Sequence, residues 1–324
     1  MTATTPRADR AAGVLLGLAC GDAAGVPYEF ATAPYDPRRG PEMIGGGLGP
    51  YAPGEWSDDT QMAMCIARVA ATEVPIDSPE GLDAIAGGFL TWLREGATDV
   101  GAQTRQVLGA LGRDAGGSGL GARMTALAAE LHRRTGRTAG NGALMRTAPV
   151  ALAFLDDPAR TARAARAIAE LTHADPLAGD ACVLWCEAIR RSVVEGAAHG
   201  PLALDLLPAP HRQAWQPLAD GSWRRDPAAL APNGFTVTAL LAAHHAAEQG
   251  RAGGTGYVGP DFRVGIAAAV ALGDDTDTIA AIAGSLLGSW CGAAGIPHEW
   301  TEMVHGWPGL DASGLRDLAE AITS

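Results

Sequence analysis

Two short acidic runs carry most of the chemistry this sequence is equipped for: Ser57-Asp58-Asp59-Thr60 and Gly273-Asp274-Asp275-Thr276-Asp277-Thr278. Each stands directly before an apolar pattern of helical period. Met62, Ile66, Val69 and Ala70 follow the first; Ile279, Ile282, Ala283, Leu286, Leu287 and Trp290 follow the second. One aspartate at a helix N-terminus needs no special explanation, because the helix dipole favours negative charge there. Doubled acids heading two helices destined for burial are a different matter. Two N-termini supply roughly half a positive charge each, against four or five carboxylates. Either the two helix starts lie apart, or a divalent cation joins them. Hard oxygen donors without a Cys/His set suit Mg²⁺ or Mn²⁺ rather than zinc, and we expect the starts to meet around such a metal.

Other candidates lie in turns. Asp22 and Glu29 flank the break Cys20-Gly21-Asp22-Ala23-Ala24-Gly25-Val26-Pro27-Tyr28-Glu29, and Asp99 precedes a short helix. Gly140-Asn141-Gly142 is a turn of the kind whose backbone N–H groups suit an anion such as phosphate. The elements that must position these residues are helical. A helix from Arg10 to Ala19 is expected to stop at the glycines and Pro27. A Pro/Gly-rich loop from Ala31 to Glu55 follows, placed to act as a lid. Further helices are read around Gly81–Glu95, Ala122–Arg134, Pro158–Leu171, Thr236–Glu248 and Asp261–Leu272, with Asp175 capping another that begins at Pro176. Gly284 and Gly288 keep the central helix narrow enough for close packing. His199 to Asn233, rich in Pro and Trp, reads as a surface excursion. Without a fixed-period repeat or a domain boundary, residues 1–324 are expected to form one all-α domain, a single compact orthogonal bundle of many short helices around a central metal site.

Composition narrows the function. A formal net charge of −12 argues against nonspecific nucleic-acid binding, which depends on clustered Lys and Arg. The five scattered cysteines form no CxxC pair and read as reduced core thiols of a cytoplasmic protein. The polar N-terminus has no signal-peptide core. No uninterrupted apolar run reaches membrane-spanning length, so no membrane partner is expected.

The motifs together resemble the ADP-ribosylglycohydrolases. Gly21-Asp22 through Glu29, Trp56-Ser57-Asp58-Asp59-Thr60, Asp99-Val100-Gly101, Gly140-Asn141-Gly142-Ala143-Leu144-Met145-Arg146, Thr172-His173 and Gly273 through Thr278 occur in family order over residues 13 to 295. The resemblance implies two Mg²⁺ ions, with Mn²⁺ as the other candidate, held by Ser57, Asp58, Asp59, Asp275, Asp277 and Thr278. It implies Glu29 and Asp99 as the catalytic acids. Thr138, Gly140, Asn141 and Gly142 would hold the pyrophosphate, and His173 would line the ribose pocket. The chain departs from the pattern twice: Asp274 replaces the usual glycine, and Ala139 stands where relatives often carry an adenine-stacking aromatic residue.

The activity so implied is hydrolysis of an ADP-ribosyl group from an acceptor, foremost an arginine side chain, by a monomer acting on an ADP-ribosylated protein or small molecule. The metals, about 3.5–4 Å apart as in other two-metal sites, would orient the distal ribose and a water. Serine, a nucleobase or a small guanidine are alternative acceptors. Two other readings fit the residues less well. A terpene synthase would need an acid at Met62 to complete DDxxD, and an aromatic cavity. A non-catalytic ADP-ribose-binding or structural protein would not need Glu29, Asp99 and both acidic pairs intact.

Overall fold

The computed structural model describes residues 5–95, 97–112, 116–225, 230–253 and 260–324. Its α-helices are α1 (Arg7–Gly25), α2 (Asp58–Ala70), α3 (Pro79–Arg94), α4 (Ala102–Ala110), α5 (Leu120–Thr135), α6 (Ala148–Ala153) and α7 (Pro158–Glu170). Then come α8 (Pro176–Glu195), α9 (Gln216–Asp220), α10 (Thr236–Ala252), α11 (Phe262–Ala271), α12 (Thr276–Cys291), α13 (His298–Met303) and α14 (Ala312–Thr323). Sheet among the described residues is one antiparallel hairpin, β1 (His305–Gly306) with β2 (Leu310–Asp311). The fold is all-α, as expected.

Helix α12 is the axis. Every residue from Thr276 to Trp290 is buried, so its apolar pattern is not a stripe but a whole circumference. Against it lies α1, buried from Arg10 to Gly25. Gly13, Gly17, Gly21 and Gly25 recur every four residues and therefore share one face of α1. A Cβ at Gly17 would collide with the carbonyl oxygen of Gly284, and one at Gly288 with that of Gly13. The two backbones touch. At the far end of this seam the Thr276 hydroxyl donates to the Gly25 carbonyl at 2.8 Å. Asp22, one turn before Gly25, is thereby held beside the start of α12.

Helix α8 covers another side of the axis, with the Trp185 indole N–H donating to Ser285 Oγ at 3.2 Å. The C-terminal hairpin pins the entrance to α2: Trp56 N–H donates to the His305 carbonyl at 3.1 Å, and its indole N–H to the Trp307 carbonyl at 3.0 Å.

Three sequence expectations change. Helix α1 does not stop at Ala19 but runs to Gly25, because its glycines serve close packing rather than a turn. Residues 199–225 and 230–233 are not a mere surface excursion: Trp215 and Trp223 are buried, and the Trp215 indole N–H donates to Asp180 at 3.2 Å. Residues 7–31 are, by length and composition, apolar enough to span a bilayer, contrary to the sequence reading. The apolar window of that segment is wholly inside the protein.

Candidate active site

The start of α2 is organised from α1. Asp22, with no exposure, accepts from Ser57 N–H (2.9 Å) and Ser57 Oγ (2.7 Å) on one oxygen. Its other oxygen accepts from Thr60 N–H (3.0 Å) and Thr60 Oγ1 (2.6 Å). A carboxylate offers about four lone-pair sites, so Asp22 is saturated. It caps α2 from a neighbouring helix, where Ser57 alone makes no cap of its own. Asp58 and Asp59 then project from the first turn, both buried.

The start of α12 is organised by two asparagines. Asn233, fully buried, accepts the Asp275 N–H at 3.1 Å and donates to the Gly273 carbonyl at 3.0 Å. Asn141 donates to Asp275 Oδ2 at 2.7 Å and to the Asn233 carbonyl at 3.2 Å, which uses both amide hydrogens. Asp274 adopts a left-handed backbone (φ 56°), a conformation natural to glycine and tolerated by Asp. Its side chain is exposed and stays outside the cluster, while its carbonyl accepts the Phe30 N–H at 2.7 Å.

These two helix starts meet. One carboxylate oxygen each from Asp22, Asp59 and Asp277 lie within 4.8 Å of one another, as do oxygens from Glu29, Asp275 and Asp277. Asp277 belongs to both groups. Burial pushes the carboxyls of Asp58, Asp59 and Asp277 well up, and neighbouring carboxylates push them further. Glu29 is pushed up to about 8, by burial first and then by Asp275, Asp99 and Asp22. The Oδ1 of Asp59 is buried without a hydrogen-bond partner among the described residues. A buried, unpartnered carboxylate oxygen among like charges calls for a cation. Because Asp22 is already saturated, Asp59, Asp277, Asp275 and Glu29 have the oxygens free to take one. Their all-oxygen chemistry fits a hard divalent ion.

A cleft of about 370 Å³ opens over this cluster. Its lining includes Asp58, Asp275, Asp277 and Thr278, the acids Glu29 and Asp99, and Gly140, Asn141, Gly142 and His173. The remaining candidates sit just behind. Ser57 Oγ is engaged by Asp22 and lies 3.1 Å from Asp59 Oδ2. Thr138 is buried outside the cleft lining, its hydroxyl 2.6 Å from His132 Nδ1. The lid candidate does reach the site, since Leu48 lines the cleft together with Glu29.

Sequence reading passed over Asn233 and Gln103 and gave Asp22 no role. Gln103 donates to the carbonyls of Thr138 (3.2 Å) and Thr172 (2.8 Å), tying together the segments that carry the Gly-Asn-Gly turn and His173. A detectable signal existed for Asp22: an acid inside a stretch of small residues on a buried helix must have partners. Asn233 gave none, being one asparagine in an irregular segment.

A family model described as ADP-ribosylglycohydrolase matches residues 3–324. An ADP-ribosylarginine hydrolase of Pseudomonas putida is 30% identical over 311 residues, covering 91% of this chain and 74% of that protein. The ADP-ribosyl-(dinitrogen reductase) glycohydrolase of Rhodospirillum rubrum is 29% identical over 304 residues, covering 90% of this chain and 89% of that one. Among solved structures, an ADP-ribosylglycohydrolase-related protein complex superposes with a TM-score of 0.69 at 30% identity, covering 98% of each chain.

Proposed function

Since the chain belongs to the ADP-ribosylglycohydrolase family, enzymes that hydrolyse glycosidic ADP-ribose linkages, we propose that it releases ADP-ribose from an ADP-ribosylated arginine. The observation that carries this is the convergence of the α2 and α12 acids on one cleft, with Asp59 Oδ1 left unpartnered. Relatives that act on ADP-ribosylarginine point to the acceptor.

Two Mg²⁺ ions, or Mn²⁺ in their place, would be held by Ser57, Asp58, Asp59, Asp275, Asp277 and Thr278. Bound there, they supply Lewis acidity toward the vicinal hydroxyls of the distal ribose. The chain's own groups do the rest. Glu29, bordering the cleft beside the acidic cluster, takes a proton from the attacking water at its carboxylate oxygen. Asp99, on the cleft wall, offsets the positive charge that develops at the anomeric carbon. The Gly140-Asn141-Gly142 turn and His173 border the space for the pyrophosphate. A guanidinium acceptor departs as a neutral guanidine and is reprotonated by solvent, so no strong general acid is required.

The test is a panel of ADP-ribosylated acceptors incubated with the protein and Mg²⁺, with free ADP-ribose quantified. Release from the arginine conjugate well above the serine and guanidine-free conjugates is expected. Binding of ADP-ribose with no release from any conjugate would instead identify a non-catalytic binding protein.

A further inference from the structure

His173 is buried yet lines the cleft, and its Nε2–Cε1 edge is turned to the Gly-Asn-Gly segment. A Cβ placed at Gly142 would lie 3.2 Å from Nε2, and one at Gly140 would lie 3.5 Å away. The other ring nitrogen, Nδ1, is 2.8 Å from Thr172 Oγ1. That hydroxyl is in turn 2.6 Å from Arg146 Nη2. A guanidinium can only donate. Thr172 Oγ1 therefore accepts from Arg146, and its single hydrogen must go to His173 Nδ1. No other hydrogen-bond partner of this hydroxyl occurs among the described residues. The reverse arrangement, with Nδ1–H donating to Thr172, would strand the hydroxyl hydrogen where Thr172 has no exposure.

We propose that Arg146 and Thr172 are positioning residues that lock His173 in its Nε2–H tautomer, so that the cleft carries a permanent neutral N–H donor beside the Gly-Asn-Gly turn. Both ring nitrogens are then committed, and His173 neither ligates a cation nor serves as a proton acceptor. The group it meets is a hydrogen-bond acceptor, and a phosphate oxygen of the ADP-ribosyl group, which only accepts, suits such a donor beside the Gly-Asn-Gly turn; this part rests on the function proposed above. Arg146 is itself immobilised, fully buried with its guanidinium 4.5 Å from the Phe89 ring centroid and Nη1 3.6 Å from Met62 Sδ. Burial, reinforced by the Arg146 charge, pushes the ring down to about 3, which keeps it neutral.

Long-range ¹H–¹⁵N spectra of the full chain labelled with ¹⁵N-histidine report the tautomer without any turnover. The wild type is expected to show a single Nε2–H form at His173. Thr172→Val should abolish that single form and weaken binding of free ADP-ribose about tenfold, and Thr172→Ser should restore both. A wild-type Nδ1–H tautomer, or a folded Thr172→Val that keeps both tautomer and affinity, would overturn the proposal. If Thr172→Val does not fold, the wild-type spectrum and Thr172→Ser still decide it. The expected tautomer with no ADP-ribose affinity in any variant would uphold the relay and overturn the ADP-ribosyl reading.

Discussion

Asp277 belongs to both carboxylate groups of the cleft, so removing its charge should affect both at once. Asp277→Asn is expected to lower Mg²⁺-dependent ADP-ribose release by more than about 100-fold, with helical content by circular dichroism unchanged. In chelator the same variant should unfold at a higher temperature than wild type, since one of several crowded buried carboxylates is gone. Asp22→Ala acts differently. It strands the four donors of Ser57 and Thr60 and should cost on the order of 3 kcal/mol in urea unfolding. The acidic pairs were legible because each is a local run of like residues. Asp22 and Asn233 act across 35 and 42 positions of chain, and no local pattern reveals a cap supplied from that far.

The contact between α1 and α12 sets the distance between the two halves of the cleft. Gly284→Ala places a methyl against the Gly17 carbonyl, where no flexible side chain can give way. It should destabilise by about 3 kcal/mol and reduce turnover, because Asp22 and Asp277 lose their register. Gly87→Ala, on α3 with nothing within 4 Å of the new methyl, is the control and should gain about 0.5–1 kcal/mol. Urea denaturation of the two variants checks both signs. Helix periodicity made most of these elements readable from sequence. The end of α1 was misread because a glycine that breaks a helix and a glycine that lets two helices touch look alike in one dimension.

For the molecule as a whole, the charge placed inside matters more than the net charge of −12. Glu29 titrates at about 8 when folded, and unfolding returns it to its ordinary 4.5. The folded state holds that proton more tightly, so the stability it contributes is complete below about pH 4.5 and is lost as pH rises through about 8. Asp58, Asp59 and Asp277 are shifted in the same direction. The melting temperature of the chelated protein should therefore fall between about pH 5 and pH 8, Glu29→Gln should flatten part of that fall, and Mg²⁺ should remove most of it. A pH-independent melting temperature in chelator would mean the carboxylates do not crowd one another.

The most direct measurement counts Mn²⁺ bound per chain by equilibrium dialysis, for the wild type and for Asp277→Ala. About two ions per wild-type chain, with loss of tight binding in the variant, is the predicted result. A wild type that binds none, or a variant that binds as the wild type does, would contradict a site in which α2 and α12 share divalent cations.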